Sequence, residues 1–348
     1  MSSHPDHHHP DLSRRPTIHQ VAKKAGVSTA TVSRVLTGRD KVSTELAEQV
    51  MQAIHELSYR PNRTARLLRA RKTQKIGLVV SDIQNPFFTS VVRGVEDLLQ
   101  PDGYVLLVGN TDEDPTRQTA YLEALVDEGV AGIILVPTSG DPRAYKAASA
   151  SQLPLVILDR RIEAVQADSV MTDNVAAAMT ATRHLIRLGH TRLGFIGGLA
   201  HVSTAIDREA GFNRALSEAG LPTSHGSIQP GNYRLLGGYQ AMRLLLDQPD
   251  PPSAVLVANN VMAMGALQLI YERGLSIPKQ IALVGFDDIP WAVSMQTPLT
   301  VIAQRSYEIG QKAAELVLAR IQEPDRPFEH ILLQAELIIR ASCGSLPG

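Results

Sequence analysis

The chain has little that would staple it covalently or hold it in a membrane. Its 348 residues contain a single cysteine, Cys343, which excludes an internal disulfide framework and fits a reducing compartment. No apolar run reaches the roughly 18 residues that a membrane-spanning helix needs. The N-terminus lacks the apolar core of a secretory leader, so a cytoplasmic protein without membrane contact is expected. Enzyme signatures are missing too. No GxGxxG follows the first strand, where the chain reads SDIQNPFF, and there is no P-loop, GxSxG or HExxH. Acids at strand ends can form a catalytic pair, but no motif position supplies a nucleophile. No enzyme, cofactor or built metal site is expected.

Charge is present but unevenly placed. Residues 1–75 hold 14 Lys and Arg against 6 Asp and Glu, a net of +8, whereas residues 76–348 hold 20 against 29, a net of −9. A basic head on an acidic body is the electrostatic footprint of phosphate binding. The first 16 residues, MSSHPDHHHPDLSRRP, are polar and rich in His and Pro and read as a disordered tail. Its His4, His7, His8 and His9 offer at best unstructured metal binding, and Arg14 and Arg15 can add phosphate contacts.

Residues 17–60 read as three helices. Thr17 and Gln20 form a capping box, and Ile18, Val21, Ala22 and Ala25 share one face. Gly26 stops this helix and Val27 fills the corner. Ser28 caps a second helix, Thr29 to Leu36, with Val32, Val35 and Leu36 inward and Thr29, Ala30, Thr31, Ser33 and Arg34 outward. A third helix, capped near Ser43, seals the core with Leu46, Val50, Ala53, Ile54 and Leu57. Two helices joined by a tight Gly-containing turn make a helix-turn-helix, whose second helix enters the major groove. Short side chains there allow close approach, and Arg34 can donate to guanine or phosphate. A three-helix bundle without a ligand has the same pattern; the charge favours DNA. Residues 61–74 form a basic linker in which Asn62 can cap a short helix, marginal alone, through about Arg71.

From Lys75 the pattern changes to apolar strands at 76–82, 104–110, 132–137 and 153–160, with helices at 87–100, 115–128 and 142–151 between them. After about residue 161 it restarts: helix 175–188, strand 192–198, helix 205–219, strand 254–259, helix 261–273 and strand 281–286. A helix at 306–321 and a strand at 331–340 close the chain. Two βα runs predict two lobes of doubly wound parallel sheet around a cleft, an α/β body. Ligands of such sheets bind at the carboxyl ends of strands, which here carry Ser81-Asp82, Asn110, Asp159-Arg160, Asn259 and Asp287-Asp288. Asp159 and Asp287 can equally cap turns, Phe87 can be core, Arg208 can be a solvated helix residue, and Met262 and Met264 read as core. Trp291, the one tryptophan, is placed near the interlobe hinge.

VAKKAGVSTATVSRVL, then VS, then ELSYRPNRTARLL resemble the head and hinge of lactose-repressor-type (LacI/GalR) transcription regulators. NPFF, LDR, DREAGF, VANNVMAMGAL and VGFDDIP resemble that family's body and periplasmic sugar-binding proteins. The resemblance implies a type I periplasmic-binding-protein-like body, with 75–160 plus 291–321 as the first lobe and 161–290 plus 322–340 as the second. It implies hinge helices of a dimer in the minor groove, Ala65 allowing close approach and Leu68 wedging a base step. Without it, Leu67 and Leu68 read equally well as packing on the body.

By position the resemblance also implies effector contacts at Asn85, Phe87, Phe88, Asp159, Arg160, Arg208, Tyr233, Asn259, Asp287 and Gln304, most like ribose-type sites. Where the family usually has Asn-Asp, this chain has Asn259-Asn260, a change expected to alter lobe closure or the charge of the cleft. The expected protein is a cytoplasmic, nucleoid-associated homodimer or tetramer. It reads a near-palindromic operator and responds to a ribose-like monosaccharide, or else to a purine or sugar phosphate. A pure sugar-binding or chemoreceptor module is disfavoured by the DNA-binding head and the missing export signal.

Overall fold

Regular apolar spacing, broken by one glycine, builds the head. The computed structural model describes residues 18–37, 43–57, 73–138, 140–163, 165–222 and 228–344, and the chain divides into two units, residues 1–73 and 74–348. The first unit holds helices α1 (Ile18–Lys24), α2 (Thr29–Thr37) and α3 (Thr44–Glu56). Val21, Ala22, Val32, Val50 and Ala53 are buried between them, with Ala25, Val27, Val35, Ile54 and Leu57 packed alongside. Gly26 takes φ +64°, and the Val27 amide reaches back to the Ala22 carbonyl at 3.0 Å, which closes α1 as a Schellman turn. Ser28 Oγ accepts from the Thr31 amide at 3.1 Å, capping α2 as expected. Ser43 occupies the cap position of α3 without a side-chain cap bond. Thr17 and the expected hinge helix with Asn62, Ala65 and Leu68 lie outside the described residues.

The body contains two sheets of six strands. The first lobe has the order β11-β5-β4-β3-β1-β2, with β1 Lys75–Val80, β2 Val105–Asn110, β3 Gly132–Leu135, β4 Leu155–Leu158, β5 Asp168–Thr172 and β11 His330–Leu333. The second has the order β12-β10-β9-β8-β6-β7, with β6 Leu193–Gly197, β7 Ile228–Pro230, β8 Ala254–Val257, β9 Ala282–Phe286, β10 Thr300–Ala303 and β12 Glu336–Ile338. Every described pairing is parallel except that of β12 with β10. Helices cover both faces, which is why central strands such as GIIL and AVLV are buried throughout. They are α4 Pro86–Leu99, α5 Pro115–Asp127, α6 Lys146–Ala150, α7 Asn174–Arg187, α8 Ser203–Glu218, α9 Leu235–Leu246, α10 Asn260–Glu272 and α11 Ser306–Gln322. Among the described residues no helix is long and apolar enough to cross a membrane.

The lobe boundaries differ from those expected. Strand β5, inside the segment assigned to the second lobe, belongs to the first sheet, and β10, assigned to the first lobe, belongs to the second. The single strand expected over 331–340 is two, β11 in the first sheet and β12 in the second. The chain therefore crosses between sheets three times, at 172–174, 303–306 and 333–336. Extended chain passing from one sheet edge to the other keeps strand-like alternation, so the break at Gln334-Ala335 leaves no mark in the pattern. Strand β5 is held by Asp168, fully buried, which accepts from the Arg320 guanidinium of α11 at 2.9 Å and from the Glu329 amide at 2.8 Å. Trp291 lies exposed in the β9–β10 connection, outside the three crossings.

Glycines let the helix pairs approach backbone to backbone. A Cβ on Gly94 of α4 would stand 2.1 Å from the Tyr307 carbonyl oxygen of α11, and one on Gly310 of α11 2.2 Å from that of Val91. Gly238 and Gly265 make the same reciprocal contact between α9 and α10. Gly310→Ala must push α11 off α4. It is expected to cost about 1–3 kcal/mol, as overpacking does, visible as a lower melting temperature of the body. Unchanged melting would show that the two helices separate freely.

Candidate functional site

In the head, α2 is the helix expected to read DNA. Arg34 and Ser28 are exposed and Thr29 and Thr31 half-buried, while Val32 anchors the opposite face. Ala30 and Ser33 lie within the same helix. Lys23 and Lys24 stand exposed in the last turn of α1.

In the body, a cleft forms where the carboxyl ends of both sheets meet. All ten positions expected to contact an effector line it: Asn85, Phe87, Phe88, Asp159 and Arg160 from the first lobe, Arg208, Tyr233, Asn259 and Asp287 from the second, and Gln304 from the second crossing. Asp82, Glu113, Thr204 and Arg234 complete it. Of the expected strand-end residues, Ser81, Asn110 and Asp288 do other work. Asn110 Oδ1 accepts from the Ile83 amide, Ser81 Oγ accepts from Arg160, and Asp288 pairs with Arg340 through two bonds.

Local backbone geometry delivers these side chains. Six non-glycine residues among those described take positive φ, and five border this cleft: Asp112, Glu113, Asp159, Tyr233 and Asp287. Such conformations cost about 1–3 kcal/mol each and persist where surrounding structure enforces them. Asn85 and Asn259 are the N-caps of α4 and α10, accepting from the Phe87 amide at 3.0 Å and the Met262 amide at 2.8 Å. The Phe87 and Phe88 rings meet edge to face, with centroids 4.9 Å apart.

Arg160 is the most heavily used group. Its terminal nitrogens form a two-bond fork with Glu113 at 2.6 and 2.7 Å and also reach the Pro137 carbonyl and Ser81 Oγ. Its Nε has no hydrogen-bond partner in the protein and lies 3.6 Å from Asp159 Oδ2. Arg208 is 3% exposed: Nε donates to Asn174 Oδ1 at 2.7 Å, one terminal nitrogen to the Ala258 carbonyl at 2.5 Å, and the guanidinium lies 4.3 Å over the Phe286 ring. Gln304 Nε2 donates to Asp287 Oδ1 at 2.6 Å, leaving its buried Oε1 without a partner. Burial pushes the Asp159 and Asp287 carboxyls above the usual range, with Arg160 and Arg208 opposing the rise at Asp159 and Arg208 opposing it at Asp287. Tyr233 hydroxyl pairs with Thr204 Oγ1 at 3.0 Å.

Among the described residues several contacts bridge the lobes here, including the Arg161 amide to Ser203 Oγ at 2.8 Å, the Arg161–Asp207 ion pair and the Arg160 guanidinium over the Tyr233 ring. Arg234 binds Asp82 at 3.0 Å and also Asp112, at the rim. Deeper in, Asn260 Nδ2 donates to Asn85 Oδ1 at 2.9 Å, both residues being buried. Sequence reasoning missed Glu113, Thr204 and Arg234. The first lies three residues past the end of β2, and the other two were overshadowed by their neighbours. No group of three His, Cys, Asp or Glu is placed to hold a metal ion among the described residues.

A helix-turn-helix followed by a two-lobed parallel-sheet body agrees with two family profiles. Bacterial regulatory proteins of the lacI family match residues 17–62, and a periplasmic binding protein-like domain matches 182–343. The chain is 36% identical over 331 residues to the ribose operon repressor of Haemophilus influenzae, covering 95% of this chain and 99% of that one. The chain belongs to the lacI family of bacterial regulatory proteins. A second relative of the family, the transcriptional repressor PurR of Histophilus somni, is 34% identical over 331 residues, with 95% and 99% covered. Among solved structures, the lac repressor dimer bound to operator and the anti-inducer ONPF superposes with TM-score 0.82 at 27% identity, covering 95% of this chain and 99% of that one. A family member from Enterococcus faecium with bound ribose gives 0.71 at 31%, covering 77% and 98%.

Asn260 replaces the Asp expected of this family, and the geometry gives a reason that amide matters here. Asn85 Oδ1 is oriented by the Phe87 amide, so its neighbour across the cleft must donate. Asn260→Asp sets a carboxylate against that acceptor at neutral pH and should open the body, enlarging its radius of gyration in small-angle scattering at pH 7.5. Lowering the pH protonates the new carboxyl, restores a donor and should close it again. Equal radii in variant and wild type at pH 7.5 would show that this contact does not hold the lobes together.

Proposed function

We propose that this lacI-family regulator is a cytoplasmic, dimeric repressor whose operator affinity is set by a neutral, ribose-like monosaccharide bound between the two lobes. One observation carries the ligand class: the cleft's open hydrogen-bonding groups include both donors and acceptors. Arg160 keeps Nε, and Arg208, bonded through Nε and one terminal nitrogen, keeps the other, whereas the buried Asp159 and Asp287 carboxyls and Gln304 Oε1 can accept. A sugar hydroxyl donates and accepts at once, and vicinal hydroxyls match carboxylates spaced around a ring. The phenyl rings of Phe87 and Phe88 suit the C–H face of a pyranose or furanose. Lining charge argues the same way, with Asp82, Glu113, Asp159 and Asp287 against Arg160, Arg208 and Arg234. A phosphate brings only acceptors and negative charge into that balance. The ribose operon repressor and the ribose-bound regulator among the relatives support the sugar reading; the PurR relatives make a purine the second reading.

The route from ligand to DNA begins at the crossings. Arg208 holds Asn174 at the first crossing, whose Nδ2 in turn donates to the Thr172 carbonyl at 3.1 Å, and Gln304 sits in the second. A ligand that engages Arg208, Asp287 and Gln304 therefore acts on two of the three segments that set the lobe angle. A coupling of about 1–3 kcal/mol between cleft and DNA is typical of such regulators. On the DNA side, α2 of each head reads one half of a near-palindromic operator through Ser28, Thr29, Ala30, Thr31, Ser33 and Arg34. Thr17, Asn62, Ala65 and Leu68 are assigned backbone and minor-groove contacts.

Thermal-shift measurement with D-ribose, other monosaccharides and purines tests the ligand reading. Ligand at 100 times its dissociation constant adds about 2.7 kcal/mol, and Arg208→Ala should remove the ribose response. A shift with purines and none with sugars would replace this reading by the second. For the head, Arg34→Ala should lose about 1–3 kcal/mol of discrimination for an operator selected from random DNA, with unchanged circular dichroism. Retained discrimination would remove Arg34 from base recognition.

A further inference from the structure

We infer that Glu113 makes this cleft reject anionic ligands, by occupying the guanidinium fork that would otherwise bind them; this deepens the sugar reading above and rests on it for the ligand's location. A buried arginine at the carboxyl end of a parallel strand is well suited to grip a phosphate or carboxylate with two parallel N–H bonds. Arg160 stands in that position after β4, with its side chain 6% exposed. Glu113, 12% exposed at its side chain, takes both fork bonds at 2.6 and 2.7 Å. The remaining terminal N–H groups go to the Pro137 carbonyl at 3.0 Å and Ser81 Oγ at 3.3 Å. An incoming anion meets a guanidinium whose charge is already matched and whose one open donor, Nε, lies beside Asp159.

The turn that carries Glu113 is shaped for this. Asp112 and Glu113 both take positive φ, at 57° and 63°, and Asp114 locks the next residues by capping α5 through the Thr116 amide at 2.8 Å. The Glu113 carboxylate is thus delivered from the β2 end to the β4 end, across 47 residues of sequence. Removing its charge while keeping its shape frees the fork for an oxyanion.

Isothermal titration of the full chain with D-ribose, D-ribose 5-phosphate and inorganic phosphate, at low ionic strength, tests this. The wild type should ignore both phosphates. Glu113→Gln should bind ribose 5-phosphate at least tenfold more tightly than the wild type does and should acquire a response to inorganic phosphate. Both gains should vanish in Glu113→Gln/Arg160→Gln. Should Glu113→Gln not fold, Glu113→Ala carries the same comparison. Phosphate affinities equal to those of the wild type, or gains that survive loss of Arg160, would overturn the role of Glu113. Failure of the wild type to bind D-ribose would instead refute the sugar reading, and the inorganic phosphate comparison would still decide the role of Glu113.

Discussion

The chain passes between the two sheets of the body at 172–174, 303–306 and 333–336, and both the cleft and its control depend on those passages. The first and third are tied to each other, since the Asp173 amide donates to the Leu333 carbonyl at 3.0 Å. Because parallel strands end on one side of their sheet, each lobe brings its polar strand ends to one edge, and the crossings bring those edges together. Side chains on the crossings, Asn174 and Gln304, are bonded directly to cleft residues. Ligand contacts and lobe angle are therefore set by overlapping groups of atoms.

The cleft is charged yet locally matched. Arg160 is held by Glu113, and Arg234 by Asp82 and Asp112, which leaves Arg160 Nε and the amide oxygens of Gln304 and Asn260 as buried groups in need of partners. Buried polar groups without partners are costly in proportion to the water they have lost. A ligand whose hydroxyls both donate and accept relieves several at once. The same pairing narrows what the cleft accepts, since Arg160 and Arg234 already meet carboxylates.

Much of this was legible in the chain. The head showed itself through apolar spacing, Gly26 and Ser28, all local features whose consequences appear within one or two turns of helix. All ten effector positions carried over by resemblance line one cleft, because strand ends of a doubly wound sheet share an edge whatever their order. Asn260 was visible as a departure, although its partner, Asn85, was not identifiable as such from 175 residues away. The segment 331–340 misled, since β11 and β12 are half-exposed edge strands with one continuous alternation although they lie in different sheets.

By itself the sequence determined the kinds of element, the chemistry at the strand ends and the basic head, because periodicity, capping and charge act over a few residues. Tertiary structure alone decided which sheet β5, β10 and β11 joined. It also decided which acid each arginine met: Glu113 for Arg160, and Asp82 with Asp112 for Arg234, at separations of 47 to 152 residues. Those pairings follow from strand order and lobe closure, which bring distant turns within hydrogen-bond reach and have no signature in local pattern.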